Sequence, residues 1–250
     1  MFGPASPVRP YYVAAAAGSE LCQLLASDNN TRDETTTRAS PWVLKAIGWF
    51  AMAGCIFAAG TDLILGFFLE ENYSPISDTI SDLAAGGRYA PLQDKAMETF
   101  AVATILTGLG LLLARRSGAK WILGAVAMAL TGILVFLIAL WDEYGDLDQG
   151  GWVVHYKLVY AMAALVPSGL LLLRRDIVRR SDHSKLVGIL FPVLAGLWVL
   201  GAPIFYFMHT GYDGLVERTL AAILIIWVAV CAWSLIRERE LDEDGGRGEV

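Results

Sequence analysis

Cysteine and histidine are both scarce in this chain, three of each among 250 residues. A small odd number of cysteines excludes a disulfide scaffold, and two of them, Cys55 and Cys231, sit inside long apolar runs where they read as small buried residues. Charge is short as well: 18% of residues are Asp, Glu, Lys or Arg, against about 25% in a soluble globular chain. The balance is acidic, with a net charge of −6 at pH 7, so the basic footprint of a nucleic-acid partner is missing. G-x-S-x-G, a Walker loop, G-x-G-x-x-G between strand and helix, H-E-x-x-H and the cysteine spacings of iron–sulfur or haem proteins are absent too. The templates of serine hydrolases, nucleotide enzymes and zinc proteases go with them.

What the chain has is apolar sequence. Apolar residues make up 56% of it and the mean hydropathy is +0.52. A bilayer core of roughly 30 Å needs about 20 apolar residues in a helix, because no water is there to satisfy an exposed backbone. Six segments are long enough: 42–69, 97–114, 121–141, 152–173, 186–208 and 215–236. The predicted fold class is therefore all-α, a polytopic bundle of six transmembrane helices in contact with membrane lipids. Rows of small residues at four-residue spacing, such as Ala51, Cys55 and Ala59 or Thr104 and Gly108, are expected to pack helices closely. Pro167, Pro192 and Pro203 each remove a backbone donor and are expected to bend the fourth and fifth spans.

Fifteen of the 19 Lys and Arg residues fall in the N-terminal stretch through Lys45, the second and fourth loops, and the C-terminal tail. Arg88, Lys95, Lys157 and Arg218 are the other four. The excess of cations predicts a cell-membrane protein with both termini in the cytoplasm. Residues 1–41 read as a flexible cytoplasmic tail with a short helix over 13–27, and 237–250 as a charged cytoplasmic tail. The stretch YYVAAAAG is too weak an apolar core for a cleaved signal peptide to be expected.

The first outward loop is the richest in chemistry. In NYSPISDTISDLAAGG, Ser74 and Pro75 read as N-cap and first helical residue, with Gly86 and Gly87 as the stop. The spacing puts Ile76, Ile80 and Leu83 on one face, Ser77 and Ser81 on a second, and Asp78 and Asp82 on a third. An interfacial helix with a Ser/Asp face over the bundle mouth is one reading. A helix whose Ser and Asp merely meet water is the other.

Ionisable groups inside spans are costly and face partners within the bundle. Asp62, roughly 10 Å below the outer end of the first span at 1.5 Å rise per residue, is expected to pair with Lys157 or Arg218. Glu217 and Arg218, adjacent in sequence, must serve different neighbours. His155 and His209 lie at outer span ends near Asp142 and are the candidate ligands of a divalent metal such as Zn. His183 is expected to be solvated in the basic fourth loop. Trp141, Tyr144, Trp152 and Tyr156 form an expected interfacial belt.

The string YSPISDTISDLAAGG, the carboxylate–histidine pair Asp142 and His155, and Gly214-Leu-Val-Glu-Arg at the start of the sixth span together resemble one family. It is the six-span integral membrane family of bacteria and archaea catalogued as domain of unknown function 998, with the likeness running from about Trp42 to Ile236. The resemblance implies the architecture and brings no established activity. Besides a scaffold for a partner protein, two functions are open from the residues. One is an outward-facing polar pocket that binds a lipid headgroup or small solute, as a carrier or sensor. The other is a membrane-embedded hydrolase or transferase acting on lipid, with His155, His209 and Asp142 holding a metal whose bound water attacks. The candidate site is Asp62, Ser77, Asp78, Ser81, Asp82, Asp142, His155, Lys157, His209, Glu217 and Arg218.

Overall fold

The computed structural model describes residues 39–85, 88–114, 118–140, 151–179, 184–207 and 211–237. The predicted tail helix over 13–27 and the C-terminal tail lie outside them. Pro41 sets the first turn of α1 (Pro41–Ile64), which passes directly into a single widened π turn at Leu65–Leu69. A short helix, α2 (Ile80–Ala85), follows. The remaining spans are α3 (Ala90–Leu113), α4 (Ala119–Leu140), α5 (Gly151–Val178), α6 (Ser184–Phe207) and α7 (Asp213–Ile236). Six of these helices are long and apolar enough to cross a membrane. α5 and α6 run on through Pro167, Pro192 and Pro203 as continuous helices.

α3 begins at Ala90, seven residues before the expected 97, and that difference matters for the site. Pro91 lies in its first turn, and Tyr89 O accepts from the amides of Leu92 and Gln93. Hydropathy registers a span only where the run turns apolar, so the polar first two turns were invisible to it. α5 likewise extends past 173 to Val178, because Arg174 and Arg175 keep good helical propensity while Arg174 Nε donates to Gly188 O of α6 at 2.8 Å.

The helices form a closed ring in which α1, α3, α4, α5, α6 and α7 each touch the next and α7 returns to α1. α7 also reaches α3 and α5, so it lies innermost. The outer faces are apolar, with Ile56, Phe68, Ile189 and Leu200 all exposed, as a lipid-facing surface requires. Inside, closeness replaces the hydrophobic drive that lipid does not supply. A Cβ on Gly132 would sit 2.7 Å from the Ile105 amide nitrogen and 2.9 Å from Ala101 O, so α3 and α4 meet backbone to backbone. Ala51 and Cys55, expected in such a row, are buried on α1, and Thr104 hides its hydroxyl by donating to Phe100 O at 2.8 Å.

The loop before α3 departs from its expected form. Ser74 and Pro75 open a turn, not a helix: Ser74 O accepts from the amides of Ser77 and Asp78. The Asp78 carboxylate closes that turn by accepting from the Ser74 amide at 2.7 Å and the Ser77 hydroxyl at 3.0 Å. Helix α2 starts afresh at Ile80, behind a reciprocal cap in which Thr79 N–H donates to Asp82 Oδ2 at 2.7 Å and Asp82 N–H to Thr79 Oγ1 at 2.9 Å. The expected apolar stripe splits accordingly. Ile80 and Leu83 are 9% and 1% exposed, whereas Ile76 is 51% exposed. Short Asp and Ser side chains offer the backbone a rival to helical bonding, and two such offers here divide one helix into a turn and a helix.

Replacing Gly132 with Val must wedge α3 from α4. The expected cost is about 1–3 kcal/mol, read as a lower midpoint in a denaturing-detergent titration of the purified protein, with Gly196→Ala, where a Cβ meets open space, as the control expected to keep or raise the midpoint.

Candidate functional site

Three elements converge at one end of the bundle: the last turns of α1, the 70–79 loop with α2, and the first turns of α7. Asp62 stands on the turn of α1 just before the π turn, which buries Leu65 and Gly66 and brings the chain back over the bundle end. Arg218 meets it from α7. Its Nε donates to Asp62 Oδ2 at 3.1 Å and one terminal nitrogen to Asp62 Oδ1 at 2.9 Å, a two-pronged fork between nearly buried side chains. That same nitrogen also donates to the Tyr73 hydroxyl oxygen. The other terminal nitrogen donates to the carbonyls of Pro75 and Asp78, each at 2.9 Å, and of Gly214 at 3.2 Å. All five guanidinium N–H groups have acceptors.

Gly214 is dictated by the same geometry. Its amide donates to Ser77 O at 3.3 Å and that of Leu215 to Ile76 O at 3.0 Å, so α7 begins against the 74–78 turn and a Cβ at 214 would collide with the Asp78 carbonyl. Glu217, one residue before Arg218, faces a different neighbour. Its carboxylate accepts from the Ile80 amide at the start of α2 and from the Ser81 hydroxyl at 3.1 Å. A negative charge at those free amides is favourable.

Beneath this clasp lies a cavity of about 310 Å³. Asp62, Ser81, Gln93, Glu217 and Arg218 contribute its polar lining, while the walls are apolar side chains of α1, α3, α4, α5, α6 and α7, among them Phe100, Met162, Trp198 and Leu224. Two buried polar atoms in that lining, Gln93 Oε1 and Trp198 Nε1, have no hydrogen-bond partner among the described residues.

Of the candidates from sequence, Asp62, Ser81, Glu217 and Arg218 gather around the cavity. Ser77, Asp78 and Asp82 do not line it; their side chains are spent on their own turns. Lys157 is exposed on α5 and outside the lining, so of the two cations expected to meet Asp62 it is Arg218 that does. Asp142 and His209 lie outside the described residues, as does His183, and His155 is described only as a backbone position of α5. The expected metal site therefore falls beyond the described side chains; among the described residues no group of three or more His, Cys, Asp or Glu gathers as ligands. Tyr73, Gln93 and Trp198 were missed. Gln93 was within reach, because Gln93, Met97 and Phe100 follow an i, i+4, i+7 line that needed only to be read one turn backwards. Trp198, Ala202 and Phe205 repeat that spacing on α6.

Tyr73 works as both donor and acceptor: it receives from Arg218 and donates to Thr79 O at 2.6 Å. Burial pushes its phenol from 10.0 up to about 12. Only the neutral phenol can donate, so its contribution is complete below pH 10.0 and lost as pH rises through about 12. Loop 70–79 is therefore expected to become protease-sensitive across that window in the wild type, and to lack the transition in Tyr73→Phe. Breaking the fork is expected to cost more. Asp62→Asn leaves a buried guanidinium short of its counter-charge, about 3 kcal/mol. Arg218→Lys should exceed it, since a point-like ammonium cannot reach the carboxylate, the phenol and three carbonyls together; unfolding midpoints rank the two.

No curated protein and no solved structure matches the chain. A family model does, over residues 51–234, well beyond half the chain and spanning the whole clasp and cavity. By that match the chain belongs to the family described as protein of unknown function, DUF998, and is a membrane protein built on six apolar helices.

Proposed function

We propose that the protein binds an amphiphile of the lipid class in the cavity beneath the clasp, as a carrier or sensor in the cell membrane. One observation carries the reading: a single space joins extensive apolar walls to a small polar roof at one end of the bundle. Binding sites for lipid-like molecules have that division, with apolar area for affinity and a few polar groups for orientation. A water-soluble solute is poorly served by these walls, so the ligand is placed with its apolar part among α1, α5, α6 and α7 and its polar end at Ser81, Gln93 and Glu217. The Lys and Arg asymmetry supports a roof on the non-cytoplasmic side and both termini in the cytoplasm. The clasp is the fixed frame of the site. Arg218 has no N–H group to spare for a ligand.

The metal-dependent hydrolase or transferase rests on Asp142, His155 and His209, whose side chains lie outside the described residues.

Filling the cavity tests the proposal. Ala59 lines it from α1 and is only partly buried, leaving room for a larger side chain to enter. Protein extracted gently from membranes is expected to retain a lipid-class molecule in native mass spectrometry, and Ala59→Trp to lower its occupancy at least tenfold. Equal loads in wild type and variant overturn the reading.

A further inference from the structure

We infer that the cavity also measures its ligand: Phe100, Met162 and Trp198 close its inner end and restrict the occupant to one apolar chain shorter than a membrane-lipid tail. The inference rests on the binding reading above and names the chemical class, a medium-chain, single-tailed amphiphile. It stands on how deep the lining runs and on what is packed beneath it.

The lining stops partway along the spans. On α3 it runs from Gln93 to Phe100, on α6 from Tyr206 inward to Trp198, and on α7 from Glu217 to Ile225. At 1.5 Å of rise per residue those stretches are about 10–12 Å long. One leaflet of a roughly 30 Å hydrocarbon core is about 15 Å deep, so a tail that fills a leaflet overruns the space. Volume gives the same limit. At the roughly 30 Å³ that a water occupies in the liquid, 310 Å³ holds on the order of ten heavy atoms. That is one medium chain with a small polar end, and it leaves no room for a second tail.

Beneath the lining the bundle is solid. Phe100, Met162 and Trp198 are buried, and each is the lining residue of its helix farthest from the roof. The next layer holds Met128, Val166, Phe191 and Trp227, all 0% exposed. Trp227 fills it so closely that a Cβ on Gly169 would meet its ring at 2.6 Å. The hydroxyls of Thr104, Thr107 and Thr131 are turned back onto their own helices, donating to Phe100 O, Ala103 O and Ala127 O at 2.8 Å each. Interiors packed to this density resist the insertion of further methylenes. A chain that reaches this layer has no way on, so the large side chains at the inner end set its length.

The test uses the full-length protein in lipid nanodiscs and two series of photoreactive alkyl probes, one ending in hydroxyl and one in phosphate, so that length is read apart from head group. Each series has chains of six to sixteen carbons with a diazirine at the far end. After irradiation, label is mapped to the peptides that carry Phe100, Met162 and Trp198. In the wild type, labelling is expected to peak at about ten carbons and to fall at least fivefold by sixteen. Met162→Ala removes three heavy atoms and should move the peak by about two carbons to longer chains. Trp198→Leu removes six and should move it by about four, because such spaces collapse only in part. A destabilised variant loses label at every length, whereas only a changed floor moves the peak. A flat profile in the wild type overturns the length limit and leaves the binding reading standing; it is the result of a chain leaving between α1 and α7, where the lining residues Leu63 and Ala222 are exposed. A peak that neither variant moves overturns the limit as well. If no probe of any length labels these peptides, the binding reading falls with it.

Discussion

A guanidinium placed inside a bundle of apolar helices has five donors to satisfy and no bulk water to satisfy them. That requirement organises this end of the molecule. Arg218 draws Asp62 from α1, Tyr73 and the carbonyls of Pro75 and Asp78 from the loop, and Gly214 O from its own helix. Together these partners answer all five N–H groups, and they tie α1 and the loop to the start of α7. The 70–79 loop cannot lift away without stranding charge, which makes it part of the bundle and not a surface excursion. The π turn after Asp62 belongs to the same solution, since it brings the chain round so that Gly66 passes beside Tyr73 and Arg218 with little room to spare. Glycine at 214 belongs to it too, since only a missing side chain lets the start of α7 lie on the turn.

Glu217 joins the clasp from the residue before Arg218, its carboxylate accepting from the Ile80 amide and the Ser81 hydroxyl. It favours the free amides at the start of α2, so that two adjacent residues of α7 hold two different segments: Arg218 the turn at 73–78 and Glu217 the helix that follows it.

The sequence made the spans legible because grease is a local property: each stretch announces itself without reference to the others, and all six were found within a few residues except at the start of α3 and the end of α5. The buried acid was also legible, and so was the fact that Glu217 and Arg218 serve different neighbours, because helix geometry alone forbids adjacent residues from facing each other. What was hidden depended on competition or on distance. Whether Asp62 meets Lys157 or Arg218 is a question of which helices adjoin, and α7 adjoins α1. The split of the loop into turn and helix followed from Asp78 and Asp82 binding backbone near themselves, which a periodic reading treats as two members of one stripe. Gln93 was hidden by the hydropathy threshold that started the second span too late. Tyr73 had no periodic pattern at all to mark it; its role comes from a loop folding back on a residue far along the chain.

The polar groups at this end of the bundle thus divide into those consumed by the fold and those left over. Asp62, Tyr73, Asp78, Asp82 and Arg218 are consumed: their hydrogen bonds close turns, cap a helix or join segments, and a ligand that took one of them would have to break structure to do so. Gln93 and Trp198 are left over, each with a buried atom that the fold does not answer. Burying such groups weakens the empty protein, and the proposed occupant of the lining they share with the clasp would offset that cost. An occupant that supplies those missing bonds gains affinity without competing with the clasp, and its release leaves the clasp intact. Binding can then be reversible on a rigid frame, which is the behaviour a carrier or a sensor needs and which a site built from the structural ion pair itself would not allow.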